Sequence, residues 1–342
     1  MDSSKIEKIT KEFDLKSFRA SQLRTAIFKN NISSFRDITV LSKDLRDKIF
    51  DKFDMLTVSE EKLSASVNND AYKALLKLHD GHCIETVLLK TSSDFWTCCI
   101  SSQVGCAFKC KFCATGNLGL TRNLTSEEIS DQVLFWRFFI AENSLPVSLR
   151  NVVYMGMGEP FHNIDAVFSS VDELLNNATF NLGARHISIS TAGLVSGIRK
   201  FADRFDQINL AVSLNSASDK LRTELMPVNK TNSLASLKNA VEYYLKKTKR
   251  KIFFEYILLR GENDSKSDAG HLIDYVRSFE FSHLIHVNLI SYNPTEYNAY
   301  SMTRDEMWEF GKILKTKKIR VTMRKSLGKD ILGSCGQLAG EA

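Results

Sequence analysis

Three cysteines, Cys106, Cys110 and Cys113, stand close together in the spacing C-x3-C-x2-C. A cysteine cluster this dense in a reducing compartment points to metal or redox chemistry rather than to disulfides. Structural zinc sites close with four ligands, often as two C-x2-C halves, and no fourth ligand follows nearby. Three thiolates can instead hold three irons of a [4Fe–4S] cubane. The fourth iron, left without a protein ligand, can then bind the amino and carboxylate groups of S-adenosylmethionine and pass an electron to its sulfonium. The bland alternatives are a zinc knuckle with a remote fourth ligand and buried cysteines that bind nothing.

A second signal lies further on, in Tyr154-Met155-Gly156-Met157-Gly158-Glu159-Pro160 at the end of an apolar run. Glycines at a strand end let backbone approach a ligand closely. The backbone and Glu159 could receive the ammonium group of the cofactor. Cys99 precedes the cluster loop by seven residues. Cys335 sits in Gly333-Ser334-Cys335-Gly336, where small neighbours suggest a mobile loop able to enter a site. Cys83 and Cys98 lie in no motif and read as packing residues.

Stepping outward, these residues need a scaffold. Ile6, Phe13, Leu15, Leu23, Ile27 and Phe28 recur at helical spacing, and Ser42 is a plausible helix cap, so residues 1–62 read as short amphipathic helices. Beyond about residue 84 the pattern alternates. Strands are expected at 84–89, 151–155, 186–190, 207–213, 251–258, 286–290 and 320–323. Helices fall at 125–142, 164–177, 195–204, 234–247, 266–279 and 303–316. Thr125 and Glu128 form a capping box for the first of these helices. Apolar, β-branched strands alternating with helices give a parallel sheet covered on both faces. Six such units predict an α/β fold, a partial (β/α)6 barrel with a small N-terminal all-helical domain. The expected division is 1–75 helical and RNA-binding, 76–325 barrel, and 326–342 a C-terminal loop carrying Cys335. Active sites of such barrels gather at the C-terminal ends of the strands.

The chain has 342 residues, 43% of them hydrophobic, and a net charge of +6, which permits a nucleic-acid partner without demanding one. The N-terminus lacks an apolar h-region, and no apolar run approaches the ~18–20 residues of a membrane helix. A soluble, cytoplasmic protein is expected.

The stretch from Cys99 to Gly116, the Met155–Pro160 turn and Ser334-Cys335-Gly336-Gln337-Leu338 together resemble the RlmN/Cfr family of radical S-adenosylmethionine RNA methyltransferases. Further counterparts are Phe18–Leu23, Leu41–Leu45, Ser188–Gly193, Leu225–Asn229 and Val287–Pro294. The resemblance implies that Cys335 takes a methyl group from one S-adenosylmethionine and that a second, on the cluster, is cleaved to a 5′-deoxyadenosyl radical. It implies that Cys99 closes a disulfide with Cys335 as the methylated base leaves, and that Glu85 is the proton acceptor. It places Gly158, Glu159, Ser190, Ser213, Leu214, Asn215 and Asn293 in the cofactor pocket. Asn215 stands where many relatives carry histidine; it keeps hydrogen bonding but cannot titrate.

By the same resemblance the substrate is an adenosine of 23S rRNA in the peptidyl-transferase region. C2 is favoured over C8 on Glu159-Pro160, and some members also modify tRNA next to the anticodon. An electron donor such as flavodoxin and a monomeric state are expected. The runs Lys246–Lys251 and Lys315–Arg320, with Arg324 and Lys325, are candidate phosphate contacts, and the target base must leave its stack. Two readings compete: a zinc-stabilised, non-catalytic RNA-binding protein, and a radical enzyme acting on protein or small molecules, which has no use for Cys99 and Cys335.

Overall fold

The computed structural model describes residues 1–295 and 300–340. It opens with three helices, α1 (Ser3–Glu12), α2 (Ser17–Arg24) and α3 (Lys43–Lys52). Asp2 and Ser42 cap α1 and α3 by accepting from Lys5 N at 2.8 Å and Leu45 N at 3.4 Å. The helical stretch ends there. Val58–Ala65 (β1) and Ala71–Leu78 (β2) form an antiparallel hairpin. The helical reading of residues 1–62 therefore runs too far, and the boundary expected at 75 falls inside β2. Local side chains explain the turn: Ser66 Oγ accepts from Asp70 N and Ala71 N at 3.1 and 2.9 Å, and Asn69 adopts φ +51°. Ser and Asn favour such turns over continued helix. β1 is an edge strand with exposed Ser59, Glu60, Glu61 and Lys62, so its pattern imitates a solvated helix.

The remaining elements, in chain order, are β3 (Cys83–Ser92), β4 (Phe95–Cys99), β5 (Gln103–Gly105), α4 (Ala114–Asn117), β6 (Leu120–Asn123) and α5 (Ser126–Glu142). Next come β7 (Leu149–Tyr154), α6 (Ile164–Leu175), β8 (Ile187–Thr191), α7 (Val195–Arg204), β9 (Asn209–Ser213), α8 (Asp219–Leu225) and α9 (Leu234–Thr248). The chain finishes with β10 (Ile252–Leu258), α10 (Lys266–Arg277), β11 (Ile285–Ser291), α11 (Arg304–Thr316) and β12 (Val321–Arg324). Ten strands make one sheet in the order β1-β2-β3-β4-β7-β8-β9-β10-β11-β12. β1 to β4 pair antiparallel, and from β4 onward every pairing is parallel. At least one helix separates each consecutive pair of parallel strands, which gives six strand–helix units followed by β12. This is the expected partial barrel, preceded by an antiparallel extension.

Helix starts follow the sequence closely because their caps are local. Thr125 with Glu128, Ser265 with Asp268 and Thr303 with Glu306 each form a reciprocal capping box. The parallel strands are held by burial on both faces. Ile187, Ile189, Leu210, Val212, Ile252, Phe254, Val287 and Leu289 are fully buried in one continuous core, each contributing about 1.5–3 kcal/mol. The N-terminal helices dock on α5 and α6: Ser3 N donates to Glu173 at 3.1 Å, Thr57 N to Asp131 at 2.7 Å, and the Phe28 and Phe180 rings meet edge-to-face at 5.0 Å. Among the described residues no helix is long and apolar enough to cross a membrane.

Candidate active site

The parallel strands all end on the same side of the sheet, and a cleft with about 850 Å3 of atom-free space opens there. Cys106, Cys110 and Cys113 line one wall together with Phe108 and Phe112. Gly158 and Glu159 after β7, Ser190 on β8 and Ser213 on β9 line the other. Arg324 of β12 and Cys335 complete it. Residues more than 200 positions apart thus meet at the ends of successive strands.

The cysteine loop is clamped at its base by the two-stranded pairing of β5 with β6. Cys106 N donates to Gly119 O at 2.8 Å. Gly105 sits at φ +77°, and a Cβ there would collide with the Gly119 carbonyl, so glycine is required. Lys111 N donates to Leu225 O at 3.0 Å and anchors the loop to the end of α8. Burial pushes the Cys106 thiol up to about 12 and raises Cys110 and Cys113 as well, Cys110 also through its two cysteine neighbours. Soft donors of this kind lose their protons on ligation to metal. Among the described residues no three His, Cys, Asp or Glu side chains are drawn together around one ion. In a cubane each thiolate serves a separate iron, so three cysteines on one loop suffice.

The glycine turn differs from the expectation. A Cβ on Gly156 would lie 2.7 Å from the Ile100 backbone, and one on Gly158, at φ +94°, would lie 2.5 Å from Gln103 Cβ. These glycines let the turn approach its own chain as well as face the cleft. Gln103 Oε1 in turn accepts from Glu159 N at 2.8 Å. The Glu159 carboxylate accepts from Phe161 N at 3.0 Å and Ala192 N at 2.6 Å, and burial raises it to about 7 despite those bonds. This buried carboxylate has two backbone donors and, among the described residues, no ion pair, which leaves it able to take a cationic partner.

Cys335 is exposed and lines both this cleft and an adjoining pocket that contains Cys99. Cys99 ends β4. Its thiol is pushed to about 12, first by burial and then by the nearby Cys335. Both are free thiols. The segment around Cys335 is anchored rather than loose. Asn293 Nδ2 donates to Cys335 O at 3.1 Å, Ala114 N to Gly336 O at 2.8 Å, and Thr115 Oγ1 to Leu338 O at 2.6 Å. The tail therefore caps α4, the helix that follows the last cluster cysteine.

Besides Cys99, four expected site residues are not on the cleft wall. Leu214 is wholly buried in the core. Asn215, at φ +54°, accepts from Ile257 N at 2.8 Å through Oδ1, and its amide faces the Met226 sulfur at 3.3 Å, so it braces β9 against β10. Asn293 holds the Cys335 backbone, while its buried Oδ1 has no partner among the described residues. Glu85 is committed elsewhere. Oε1 pairs with Lys73 at 2.6 Å, and Oε2 accepts from Ala339 N and Gly340 N at 2.6 and 3.1 Å. It clamps the tail instead of facing the thiols. Arg324, expected as a phosphate contact, lies inside the cleft with Nη1 3.2 Å from Glu255 Oε2. Sequence reading missed Glu255, a lone acid on an apolar strand. It also missed the fully buried Arg222, which donates to Ala192 O, Ser213 O, Leu214 O and Asn229 Oδ1 at 2.7–3.2 Å and ties the ends of β8 and β9 to the Pro227–Asn229 turn. Arginine on a short amphipathic helix gives no local signal of this.

A partial barrel with a three-cysteine loop at the C-terminal ends of its strands is the architecture of a radical S-adenosylmethionine enzyme, and the radical SAM superfamily model matches residues 100–273. A second model, the ribosomal RNA large subunit methyltransferase N-terminal domain, matches residues 1–54. The chain is 40% identical over 324 residues to a probable dual-specificity RNA methyltransferase RlmN of Bacillus subtilis, covering 94% of this chain and 87% of that protein. It is 36% identical over 340 residues to a ribosomal RNA large subunit methyltransferase Cfr of Bacillus velezensis, covering 98% and 95%. A crystal structure of a radical SAM methyltransferase from Sphaerobacter thermophilus superposes with TM-score 0.92 at 36% identity, over 100% of this chain and 98% of that one. The chain belongs to the RlmN/Cfr family of radical S-adenosylmethionine methyltransferases, whose cofactors are a [4Fe–4S] cluster and S-adenosylmethionine.

Proposed function

We propose that this enzyme methylates C2 of an adenosine in 23S rRNA by way of a methyl group carried on Cys335. The supporting observation is that Cys335 stands where the cluster cleft meets the pocket of Cys99. A single exposed sulfur there can face a cofactor on one side and a resolving thiol on the other. Cys106, Cys110 and Cys113 would hold the cluster, with Glu159, Ser190 and Ser213 beside the bound nucleoside. When bound, the cluster and S-adenosylmethionine supply a 5′-deoxyadenosyl radical. Cys335 presents the methyl carbon to the base; once that carbon is bonded to the ring, its bond to the Cys335 sulfur breaks as Cys99 forms a disulfide with Cys335, the released carbon takes a proton, and thiol exchange must reset the pair. Asn293 and Ala114 keep the Cys335 backbone in place throughout.

Glu159-Pro160 favours C2. Relatives named RlmN and Cfr are similarly close, so C8 methylation is the second reading, and a tRNA adenosine is a further candidate substrate. A flavodoxin-like donor is the expected reductant, and the monomer the expected active form. The test is anaerobic reconstitution with rRNA, followed by mass spectrometry of the nucleosides. 2-Methyladenosine is expected from wild type and none from Cys335→Ala, which should still hold iron. Unchanged methylation by Cys335→Ala would overturn the mechanism, and 8-methyladenosine would overturn the regiochemistry.

A further inference from the structure

Of the cations expected to grip RNA, Arg324 lines the cleft, but Lys251 and Arg320 lie elsewhere. Lys251 immediately precedes β10 and Arg320 immediately precedes β12, so both lie at the N-terminal ends of the parallel strands. The cleft is at the opposite ends. Strands of five to seven residues separate the two by roughly 20 Å. Arg150, at the start of β7, and Arg185, before β8, share this end.

Contacts run unbroken across it. Arg150 Nε donates to His186 at 3.3 Å, and its guanidinium covers the Phe95 ring at the start of β4. Arg185 Nε donates to Gln207 at 3.2 Å, Asn209 Nδ2 to Arg185 O at 2.9 Å, and Arg250 Nη2 to Asn209 at 2.7 Å. His286 meets Phe253 at 5.7 Å and Thr322 at 2.8 Å, next to Lys251 and Arg320.

Two features separate this surface from an ordinary solvated face. First, none of Arg150, Arg185, Arg250, Lys251, Lys318 and Arg320 forms an ion pair among the described residues, whereas Arg204 and Lys247, on the helix ends beside them, pair with Asp172 and Asp203, and further ion pairs lie elsewhere on the molecule. The acids on the same loops are Asp94, Asp206 and Glu280. His186 and His286 are held below the usual histidine range, first by burial and then by the adjacent Arg150 or by Lys251 and Arg320. Second, the surface borders the N-terminal helices: Lys29 and Asn31 share a pocket with Ser148 and Leu149, next to Arg150.

We propose that the end of the barrel opposite the cleft is a second RNA-docking surface, which binds phosphate backbone flanking the target while the cleft takes the base. The inference rests on the RNA substrate proposed above. Cations without acidic partners suit a polyanion whose bound counterions are released on contact.

The test compares Lys251→Glu/Lys318→Glu/Arg320→Glu with wild type on two RNAs. One is a short hairpin carrying the target adenosine. The other is a long 23S fragment with its neighbouring helices. Thermal melting and circular dichroism monitor the fold, and the Gln triple variant provides a gentler perturbation. Wild type should bind the long RNA more tightly than the hairpin. The Glu variant should lose about tenfold or more on the long RNA, with a salt slope smaller by about 3, and little on the hairpin. The Gln variant should fall between. Equal long-RNA affinity in wild type and a folded Glu variant overturns the second surface and leaves the patch to an acidic protein. Equal loss on both RNAs also overturns it, because the effect is then general electrostatics. Wild type that binds neither RNA defeats the substrate reading instead.

Discussion

Glu85→Ala should free the C-terminal tail. In the folded protein one carboxylate oxygen holds Ala339 N and Gly340 N at 2.6 and 3.1 Å, and the other pairs with Lys73, whose side chain is 16% exposed. Hydrogen bonds to a buried charge contribute about 1.5–3 kcal/mol each. The ordering cost of the tail offsets part of this, so a net loss of ~2–4 kcal/mol in local stability is expected. At ~1.4 kcal/mol per tenfold, that is roughly 30-fold to several-hundred-fold faster opening. Hydrogen exchange of the Ser334–Gly340 peptide should accelerate accordingly, and alkylation of Cys335 should quicken with it. Glu85→Gln keeps one acceptor and should give an intermediate result. A tail that exchanges at the wild-type rate in Glu85→Ala would refute the clamp and return Glu85 to the role of proton acceptor.

Gly158→Ala forces a side chain onto φ +94° and into Gln103, and urea unfolding should show a loss of ~3 kcal/mol or more; wild-type stability would show that the turn can move. Glu159 is neutral in the folded state to about pH 7 but ionises near 4.5 when unfolded. It therefore stabilises the fold at low pH, and that contribution, ~3 kcal/mol, fades as pH rises from about 4.5 through 7. Chemical denaturation from pH 5 to 8.5 should show this fall in wild type and lose it in Glu159→Gln; parallel curves would contradict the raised carboxyl. Arg222→Met strands the carbonyls that end β8 and β9, with an expected cost of ~3–5 kcal/mol. A melting temperature near wild type would mean water replaces the guanidinium.

The parts of the fold and site that were legible in the sequence are those fixed locally. The Cys106–Cys113 loop, the Thr125–Glu128 cap and the apolar strands each carry their signal within a dozen residues. What failed depends on which end of a strand a residue reaches. Arg320 and Arg324 are four positions apart, yet the length of β12 puts one at the closed end of the barrel and the other in the cleft. A rule was available: residues that follow a helix and precede a strand lie opposite residues that follow the strand. Glu85 misled for a different reason. Its partners Lys73, Ala339 and Gly340 come from the previous strand and the far terminus, a meeting that only the folded chain creates. β1 was lost because an edge strand exposed on both faces from Ser59 to Lys62 has neither an apolar run nor an alternation to declare it.

The anchoring of the tail also decides which molecule must travel. With the Cys335 carbonyl held by Asn293 and Gly336 O held by α4, the backbone beneath the sulfur cannot swing out as an arm. Only rotation about the side chain remains, a reach of a few bond lengths. An RNA substrate must therefore bring its base to the sulfur at the strand ends, and the ease with which a given RNA can be bent and opened becomes the gatekeeper of what is modified.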